Sequence, residues 1–466
     1  MTTIVWFRRD LRIHDHPALA AAASGSETVV PFFCLDDRLL GGRHRSGART
    51  QFMLEALADL DRALRELGSQ LVVRRGDPRR ELVSLAGRLG AEVVHAGVDA
   101  GPFARGRDYV VAGALREAGA ALRGHSGVFA VNNLDAIQTA AGAPYTVFTP
   151  FYRTWLKAAR RTPVAAPEML PPLPADVDPG ALPTLADLGL KPEVACPAAG
   201  GERAGRAAAA RFLADSLGAY DDGRNDLGTE RASRLSPYLH LGCLSARELE
   251  ARLGYDAASE AFRRQLCWRD FYAHVLRHFP ANARREHQER YRGRLRWNDD
   301  RARFEAWCEG RTGFPLVDAG MRQLRREGWM HNRARLVVGS FLTKDLGIDW
   351  RWGEQHFMRL LLDGDEASNN GNWQWIASVG VDPQPVSRRI FNPARQQERF
   401  DPEGKFVRRY VPELRSVPRS FLAEPQRMPV AIQNDVGCVI GRDYPEPIVD
   451  HAEARREALE RYAVAS

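Results

Sequence analysis

The stretch Gln70-Leu71-Val72-Val73-Arg74-Arg75-Gly76-Asp77-Pro78-Arg79-Arg80-Glu81-Leu82-Val83-Ser84-Leu85-Ala86-Gly87-Arg88-Leu89-Gly90-Ala91-Glu92-Val93-Val94-His95 decides the fold of the first part of the chain. It opens and closes on short apolar runs of strand length, Gln70–Arg74 and Glu92–His95. Between them Arg79–Leu89 carries apolar residues at i, i+3 and i+4, the spacing of one helix face. Strand, helix, strand in so short a span is a βαβ unit, whose strands lie parallel in one sheet. Working outward, Ile4–Phe7 and Thr28–Phe33 supply two more strands, and Thr50–Leu67 a second amphipathic helix. The pattern predicts a doubly wound, Rossmann-like parallel sheet covered by helices on both faces, over residues 1–130. Such sheets bind ligands at the carboxyl ends of their strands. Neither GxGxxG nor a Walker A motif is present, so no dinucleotide or nucleoside triphosphate cradle is expected in this part.

From Pro163 to Pro197 the composition shifts, with nine of the 28 prolines and Gly180, Gly189, Gly200 and Gly201 in or just after the stretch. We read residues 131–200 as a long connector rather than a packed element. Beyond it strand patterns disappear. Arg206–Tyr220, Ser245–Leu253, Ala258–Arg277, Arg301–Glu309, Leu316–Glu327, Asn332–Leu346 and Trp352–Leu362 all read as helices, so 201–466 is expected to be a helical domain.

The chain has 466 residues, 27% charged and 44% hydrophobic, which excludes disordered and fibrous classes. No apolar run reaches membrane-spanning length, and Met1–Asp10 meets its charges too early for a secretory signal. A cytoplasmic protein with no membrane association is the expectation. The net charge of +7 is mild. Between Arg263 and Arg296, however, ten arginines face only Asp270, Glu286 and Glu289. A local basic face of that kind suits a polyanion, although a solvated helix face gives the same count. The six cysteines show no CxxC pair and no zinc spacing, so they are expected to be reduced and mostly buried, and no metal site is expected.

Of ten tryptophans, eight follow residue 260, at 268, 297, 307, 329, 350, 352, 373 and 375. Large aromatics usually fill a helical core. Here several adjoin polar groups that a core would not want: Arg269-Asp270 after Trp268, Met330-His331-Asn332-Arg333 after Trp329, and Asn369-Asn370-Gly371-Asn372 before Trp373. Aromatics interleaved with Arg, Asn and Gln suit a site that stacks flat rings, whether bases, a flavin or both. Leu361–Trp375 is too polar for an ordinary buried segment and too aromatic for an ordinary loop. Ser233 and Ser236 read as helix N-caps, and a hydroxyl-rich helix start can hold a pyrophosphate, though plain capping is the commoner meaning of either serine.

Val5-Trp6-Phe7-Arg8-Arg9-Asp10-Leu11-Arg12, Tyr145–Phe151, Trp268-Arg269-Asp270-Phe271-Tyr272, Thr312–Ala319, Gly328–Arg335 and Asn369–Trp375, in this order over the whole length, resemble the motifs of the DNA photolyase/cryptochrome family. The resemblance is greatest to bacterial class I cyclobutane pyrimidine dimer photolyases. It implies one FAD, active when reduced and anionic, in the helical domain. By position Tyr220, Ala232, Ser233, Arg234, Leu235 and Ser236 would hold its pyrophosphate. Arg269, Asn332, Arg335, Asp363, Asp365 and Asn369 would line its ribityl and isoalloxazine parts, with Asp363 paired to Arg335. Ala232 departs from the family, which usually has a hydroxyl there.

The implied reaction is light-dependent repair of UV-damaged DNA, in which an electron from the excited cofactor splits a flipped-out dimer. Trp268 and Trp375 would stack on the lesion. Gln265, Asn332, Arg333 and Leu336 would meet it, and Arg224 and Gln396 would grip the strand. Trp297, Trp350 and Trp373 align with the family's electron-transfer relay, whereas Trp307 reads as core. Val98–Phe103 resembles the loop of deazaflavin-binding relatives, with Gly101 in place of a usual acid. A deazaflavin antenna is therefore favoured over a folate or none. A monomer needing no protein partner is expected.

Two other activities fit the family. A cryptochrome-type photoreceptor often carries a long C-terminal extension, whereas this chain stops soon after Pro445–His451, and plant-type members tend to have Asp where Asn332 stands. Animal-type (6-4) photoproduct enzymes use histidines at the positions of Asn332 and Leu336. Gln265, where many dimer photolyases have Glu, is a residue shared with those enzymes.

Overall fold

The computed structural model describes residues 1–229 and 231–465. Five parallel strands, β1 (Thr2–Phe7), β2 (Thr28–Asp36), β3 (Val72–Gly76), β4 (Val93–Gly97) and β5 (Ala121–His125), form one sheet in the order β3-β2-β1-β4-β5. β1 at the centre is buried from Thr3 to Phe7, as both-face coverage requires. Helices Gly47–Glu66, Pro78–Leu89 and Pro102–Glu117 cover the sheet. Pro78–Leu89 shows why the sequence breaks where it does: Asp77 caps its start, Pro78 stands in its first turn, and Gly90 ends it at φ 59°. β5 is the strand that hydrophobic patterning did not reveal. It is a half-exposed edge strand, Ala-Leu-Arg-Gly-His, with no buried residue to mark it.

The stretch from Pro163 to Pro197 forms neither helix nor strand, yet it is packed, contrary to the reading of a plain connector. Leu170 and Val177 are buried, Leu170 N donates to Leu67 O at 2.7 Å, and Val73 N donates to Pro179 O at 2.8 Å. The segment thus extends the edge of β3. Upstream of it, Phe148–Lys157 is a helix that buries Phe148, Phe151, Tyr152 and Trp155.

The second half is helical, and three elements position the site: Ala257–His278, Asn332–Ser340 and Glu366–Ile376. Two expected helices stop early. Arg206–Tyr220 is a helix only to Arg211 and Asn332–Leu346 only to Ser340, each continuing as a wider π-helical turn. Glu366–Ile376 was not anticipated as a helix. Asp365 caps it, accepting from Ser368 N at 2.8 Å, and its polar side chains find backbone partners. Asn369 donates to Glu354 O at 2.9 Å, Asn370 to Asn282 O at 2.9 Å, and Gln374 to Asn282 O at 2.8 Å. Gly353 lets this helix approach its neighbour, since a Cβ there would meet the Trp373 ring at 2.2 Å.

One apolar core runs without interruption from Val5, Phe7 and Leu35 under the sheet to Phe262, Leu266 and Phe271 in the helices. Polar contacts seal the same seam. Leu11 N donates to Leu241 O at 3.1 Å, and Arg12 Nη1 to Gly242 O at 2.9 Å. Gly242, at φ 67°, is held so close that a Cβ would meet Arg9 O at 2.0 Å. All six cysteines are free, and only Cys196 is exposed. Among the described residues no helix is long and apolar enough to cross a membrane.

Candidate functional site

A cavity of about 290 Å³ opens between the Ala257–His278, Asn332–Ser340 and Glu366–Ile376 helices and the loop that precedes Ser236. Eleven of the twelve residues expected to hold a cofactor line it: Tyr220, Ala232, Ser233, Arg234, Ser236, Arg269, Asn332, Arg335, Asp363, Asp365 and Asn369. Leu235 is the exception. Its side chain is fully buried in the core, because consecutive residues of the run point in different directions.

Asp363 organises the wall. Its Oδ2 accepts from Ser236 Oγ at 2.5 Å and from Arg335 Nη2 at 2.8 Å, so a largely buried carboxylate side chain is paired with a partly exposed guanidinium. Ser236 is therefore not an N-cap: Leu235 stands at that position, and the serine hydroxyl is turned to Asp363. Trp329 Nε1 donates back to Ser236 Oγ at 3.3 Å, and Arg234 lies over the Trp329 ring at 4.4 Å. Asn369 commits its amide N–H to Glu354 O, which leaves Oδ1 as a neutral acceptor on the lining. Tyr220 is held edge-on by Phe212 and Phe262, and burial pushes its phenol up to about 12.

Asp365 and Arg269 carry the wall toward the sheet. Arg9 Nη2 donates to Asp365 Oδ2 at 2.6 Å. Burial alone would raise this carboxyl, but Arg9 and His240 outweigh it and hold it well below the ordinary carboxylate range. Arg269 is buried against Asp270, and its guanidinium donates to Val128 O at 2.9 Å.

Among the described residues four buried polar atoms of the lining make no hydrogen bond: Asp363 Oδ1, His331 Nε2, His240 Nδ1, which lies 4.0 Å from Asp365 Oδ2, and Arg224 Nε, which lies 3.5 Å from Asp221 Oδ1. His331 is informative. Its Nδ1 accepts from Arg333 N at 3.1 Å, which places the ring proton on Nε2, and burial lowers its pKa to about 4. A neutral N–H donor, a carboxylate oxygen and an amide oxygen on one wall match a large polar ring system such as a flavin, so the residues present fit FAD. His240, Trp329 and His331 were missed as lining residues. No spacing rule marks a histidine that ends a short helix, as His240 does, although Trp329 and His331, the N-cap of the Asn332–Ser340 helix, lie in a stretch whose composition is unusual.

Gln265, Asn332, Leu336 and Arg224 also line the cavity, whereas Trp268, Arg333, Trp375 and Gln396 do not. Trp268 lies face to face with Phe148, ring centres 3.7 Å apart and 2° from parallel. Arg389 covers Trp375 at 4.1 Å, and Trp375 Nε1 donates to Asp382 at 3.1 Å. Arg333 stacks over Phe400 at 4.1 Å and donates to Asn225 at 2.8 Å. Gln396 is half-buried with Oε1 unpartnered. Trp373 lines the cavity, while Trp350 is fully buried and off the lining and Trp297 is half-buried. Trp307 is core, as read.

The single basic face from Arg263 to Arg296 is not formed. Arg263 is buried against Glu250 and Glu260, Arg269 turns into the cavity, and Arg277 pairs with Asp135. Only Arg284, Arg285, Arg290, Arg294 and Arg296 are exposed. The Val98–Phe103 loop borders a cleft of only about 40 Å³, with Arg9, Asp99, Gly101, Arg269 and Asp365 among its walls.

Two family profiles match the chain: DNA photolyase over residues 3–172, and FAD binding domain of DNA photolyase over residues 262–464. The chain is 41% identical to the deoxyribodipyrimidine photo-lyase of Streptomyces griseus, covering 97% of each. A bacterial class III photolyase from Agrobacterium tumefaciens superposes with a TM-score of 0.92 at 35% identity, covering 100% of this chain and 97% of that one. A Synechocystis cryptochrome does so at 0.89 and 30%, covering 99% of each. The same backbone therefore occurs under both names, photolyase and cryptochrome, and fold alone does not separate the two.

Proposed function

We propose, because the chain belongs to the DNA photolyase family, that it is a light-dependent deoxyribodipyrimidine photo-lyase that splits cyclobutane pyrimidine dimers in DNA. The observation that carries this reading is the end-to-end likeness to a deoxyribodipyrimidine photo-lyase. FAD, when bound, reduced and illuminated, supplies the electron that opens the dimer.

The chain's own residues bind, orient and keep water out. Tyr220, Ala232, Ser233, Arg234 and Ser236 are assigned to the pyrophosphate. Leu235 serves only by packing the turn that presents them. Arg335, Asp363, Arg269, Asp365 and Asn369 are assigned to the ribityl and ring parts. Asn369 is suited to a reduced ring because its free oxygen accepts a hydrogen bond without adding charge. Asn332 and His331 add donors at the mouth and wall.

Flipping the lesion costs a few kcal/mol, less at a damaged pair. Gln265, Asn332 and Leu336 on the cavity lining are assigned to the flipped bases. Trp268 and Trp375 have at most one ring face each for stacking, since Phe148 and Arg389 cover the other. Arg224, Arg333 and Gln396 are assigned to the strand. Trp373 at the wall, with Trp350 and Trp297 farther out, is assigned to the relay that returns the cofactor to its reduced state.

For the division of labour we take 1–130 as the sheet domain, 131–200 as the connector and 201–466 as the cofactor and DNA domain. A second chromophore, a deazaflavin, is assigned to the Val98–Phe103 loop, whose cleft of about 40 Å³ must widen to admit it. The protein is taken to act as a cytoplasmic monomer on UV-damaged DNA. The deciding experiment illuminates purified, reduced protein with oligonucleotides bearing each lesion. Restoration of intact thymines from cyclobutane dimers is the expected result. Repair of (6-4) lesions alone, or of neither, overturns the reading.

A further inference from the structure

Trp350 and Trp307 are both entirely shut off from solvent. They differ in what receives the indole N–H. Trp307 Nε1 donates to the Val338 peptide carbonyl at 3.0 Å. Trp350 Nε1 donates instead to a carboxylate, Glu286 Oε1, at 3.4 Å. Glu286 is only 4% exposed and reaches Trp350 across 64 residues of chain. The same Oε1 accepts from Arg351 Nη2 at 2.8 Å, and Arg351 lies over the Trp350 ring at 4.7 Å while pairing with Asp349 at 3.1 Å. A buried carboxylate is costly to keep, and a neutral carbonyl satisfies an indole equally well, as it does at Trp307. Arg351 accounts for the charge on Glu286; what sets Trp350 apart from Trp307 is that this carboxylate also receives the indole N–H.

We propose that Glu286 is the proton acceptor for Trp350 when Trp350 is oxidised. The inference rests on the assignment of Trp373, Trp350 and Trp297 as the relay. Light moves one electron from Trp373 to the oxidised cofactor. Trp350 gives one electron to Trp373, which is restored, and the positive charge passes to the Trp350 indole. An indole radical cation is a far stronger acid than neutral indole. Its N–H bond breaks, the proton moves to Glu286 Oε1, and a neutral indolyl radical remains beside a carboxylic acid. Arg351 acts at both ends of the step: its hydrogen bond to Oε1 keeps Glu286 ionised and so available as a base before the flash, and its guanidinium over the ring opposes positive charge there and favours loss of the proton. When Trp297 supplies the next electron, the proton returns from Glu286 to Trp350. Half-buried Trp297 sheds its own proton to water and is reduced by a thiol in solution.

The device also gives the relay a direction. The Trp307 ring centre lies 6.2 Å from that of Trp373, close enough to compete for the charge. Its N–H faces a peptide oxygen that cannot keep a proton, so charge that strays to Trp307 is not trapped. Charge that reaches Trp350 is.

The test is flash spectroscopy of the FAD-loaded, oxidised protein. The wild type is expected to form the neutral tryptophan radical in a step that slows in D2O. In a Trp297→Phe background, where the charge stops at Trp350, Glu286→Gln keeps an acceptor but removes the base, so the cation-radical spectrum should persist severalfold longer than with Glu286 present and the solvent isotope effect should vanish. Should that variant fold poorly, light-minus-dark infrared difference spectra of the wild type serve instead, where the C=O stretch of a newly protonated carboxylic acid should accompany the radical. An unchanged radical spectrum and lifetime in the variant, or no such band in the wild type, overturns the assignment. Trp350→Phe separates this from the relay itself. If it leaves photoreduction at the wild-type level, the relay is wrong and Glu286 falls with it. If it stops photoreduction while Glu286→Gln changes nothing, only the role of Glu286 is lost.

Discussion

The cavity among the helices and the cleft at the carboxyl edge of the sheet share Arg269 and Asp365 as a wall, yet one measures about 290 Å³ and the other about 40 Å³. The difference lies in which charges have found partners. On the cleft side Arg9 is paired to Asp365 and Asp99, and Asp99 also accepts from Ala100 N at 2.7 Å. On the cavity side Asp363 Oδ1 and His331 Nε2 have no hydrogen-bond partner in the protein, and His240 Nδ1 has only a 4.0 Å contact with Asp365. A parallel sheet ordinarily offers its strand ends to a ligand. Here those ends close against the second half of the chain, and the ligand position moves to the helices that the sheet buttresses.

The contrast is broken most sharply by removing one carboxylate from each side. Asp363→Ala should cut the FAD retained on purification by about tenfold or more, since it removes the carboxylate that holds Ser236 and Arg335 and hydrogen bonds to charged groups are worth about 1.5–3 kcal/mol. Asp99→Ala, in the cleft, should leave FAD content unchanged. Equal loss in both, measured by flavin absorbance per chain, would erase the distinction. Trp373→Phe comes next in size. It should reduce photoreduction of the oxidised flavin to the dark level while lowering dimer repair by chemically pre-reduced protein far less. Parallel loss of both would make Trp373 a structural wall residue.

Acid should distinguish the halves more gently. Burial holds His274, His331 and His356 in the helical half, and His95 in the sheet, at a pKa of about 4. The unfolded chain, with histidines near 6.5, binds more protons over that interval, so stability present above pH 6.5 is lost as pH falls toward 4. With most of these groups among the helices, tryptophan fluorescence, which reports mainly that half, should show the lower melting temperature first. A melting temperature unchanged between pH 7 and about 4.5 would refute the linkage. The smallest effect is expected at the cavity mouth. Gln265→Glu should raise the quantum yield of dimer repair by about twofold at most, about 0.4 kcal/mol between competing rates, with FAD content unchanged. Loss of dimer repair in that variant would assign the lesion preference differently.

Four of the five strands were legible because their apolar runs are buried on both faces. β5 was not, because a polar edge strand carries no alternation. The helix Glu366–Ile376 was hidden for a related reason. Its Asn-Asn-Gly-Asn run looks like a loop until Asn282 and Glu354, distant in sequence, provide the carbonyls that satisfy it. In the cavity the pairing of Asp363 with Arg335 could be anticipated from two charges within recognised motifs. The count alone could not foresee how these arginines are dispersed, since tertiary structure buries Arg263 against Glu250, turns Arg269 into the cavity and pairs Arg277 with the partly exposed Asp135. Leu235 was misplaced because position in a motif does not say which way a side chain turns.

Arg12 leaves the ribosome 230 residues ahead of Gly242, whose carbonyl its guanidinium holds. Its other hydrogen bonds, to the carbonyls of His14, Asp15 and Gly127, can form within the first half as that half emerges. The rim of the nascent sheet domain therefore waits, with one arm of a largely prearranged arginine still hydrated, for a loop not yet translated. A truncated product ending before Leu241 keeps that arm and the Leu11 N–H exposed, together with the apolar seam beneath them. Such a product offers proteases and chaperones a mark of incompleteness that the finished chain conceals.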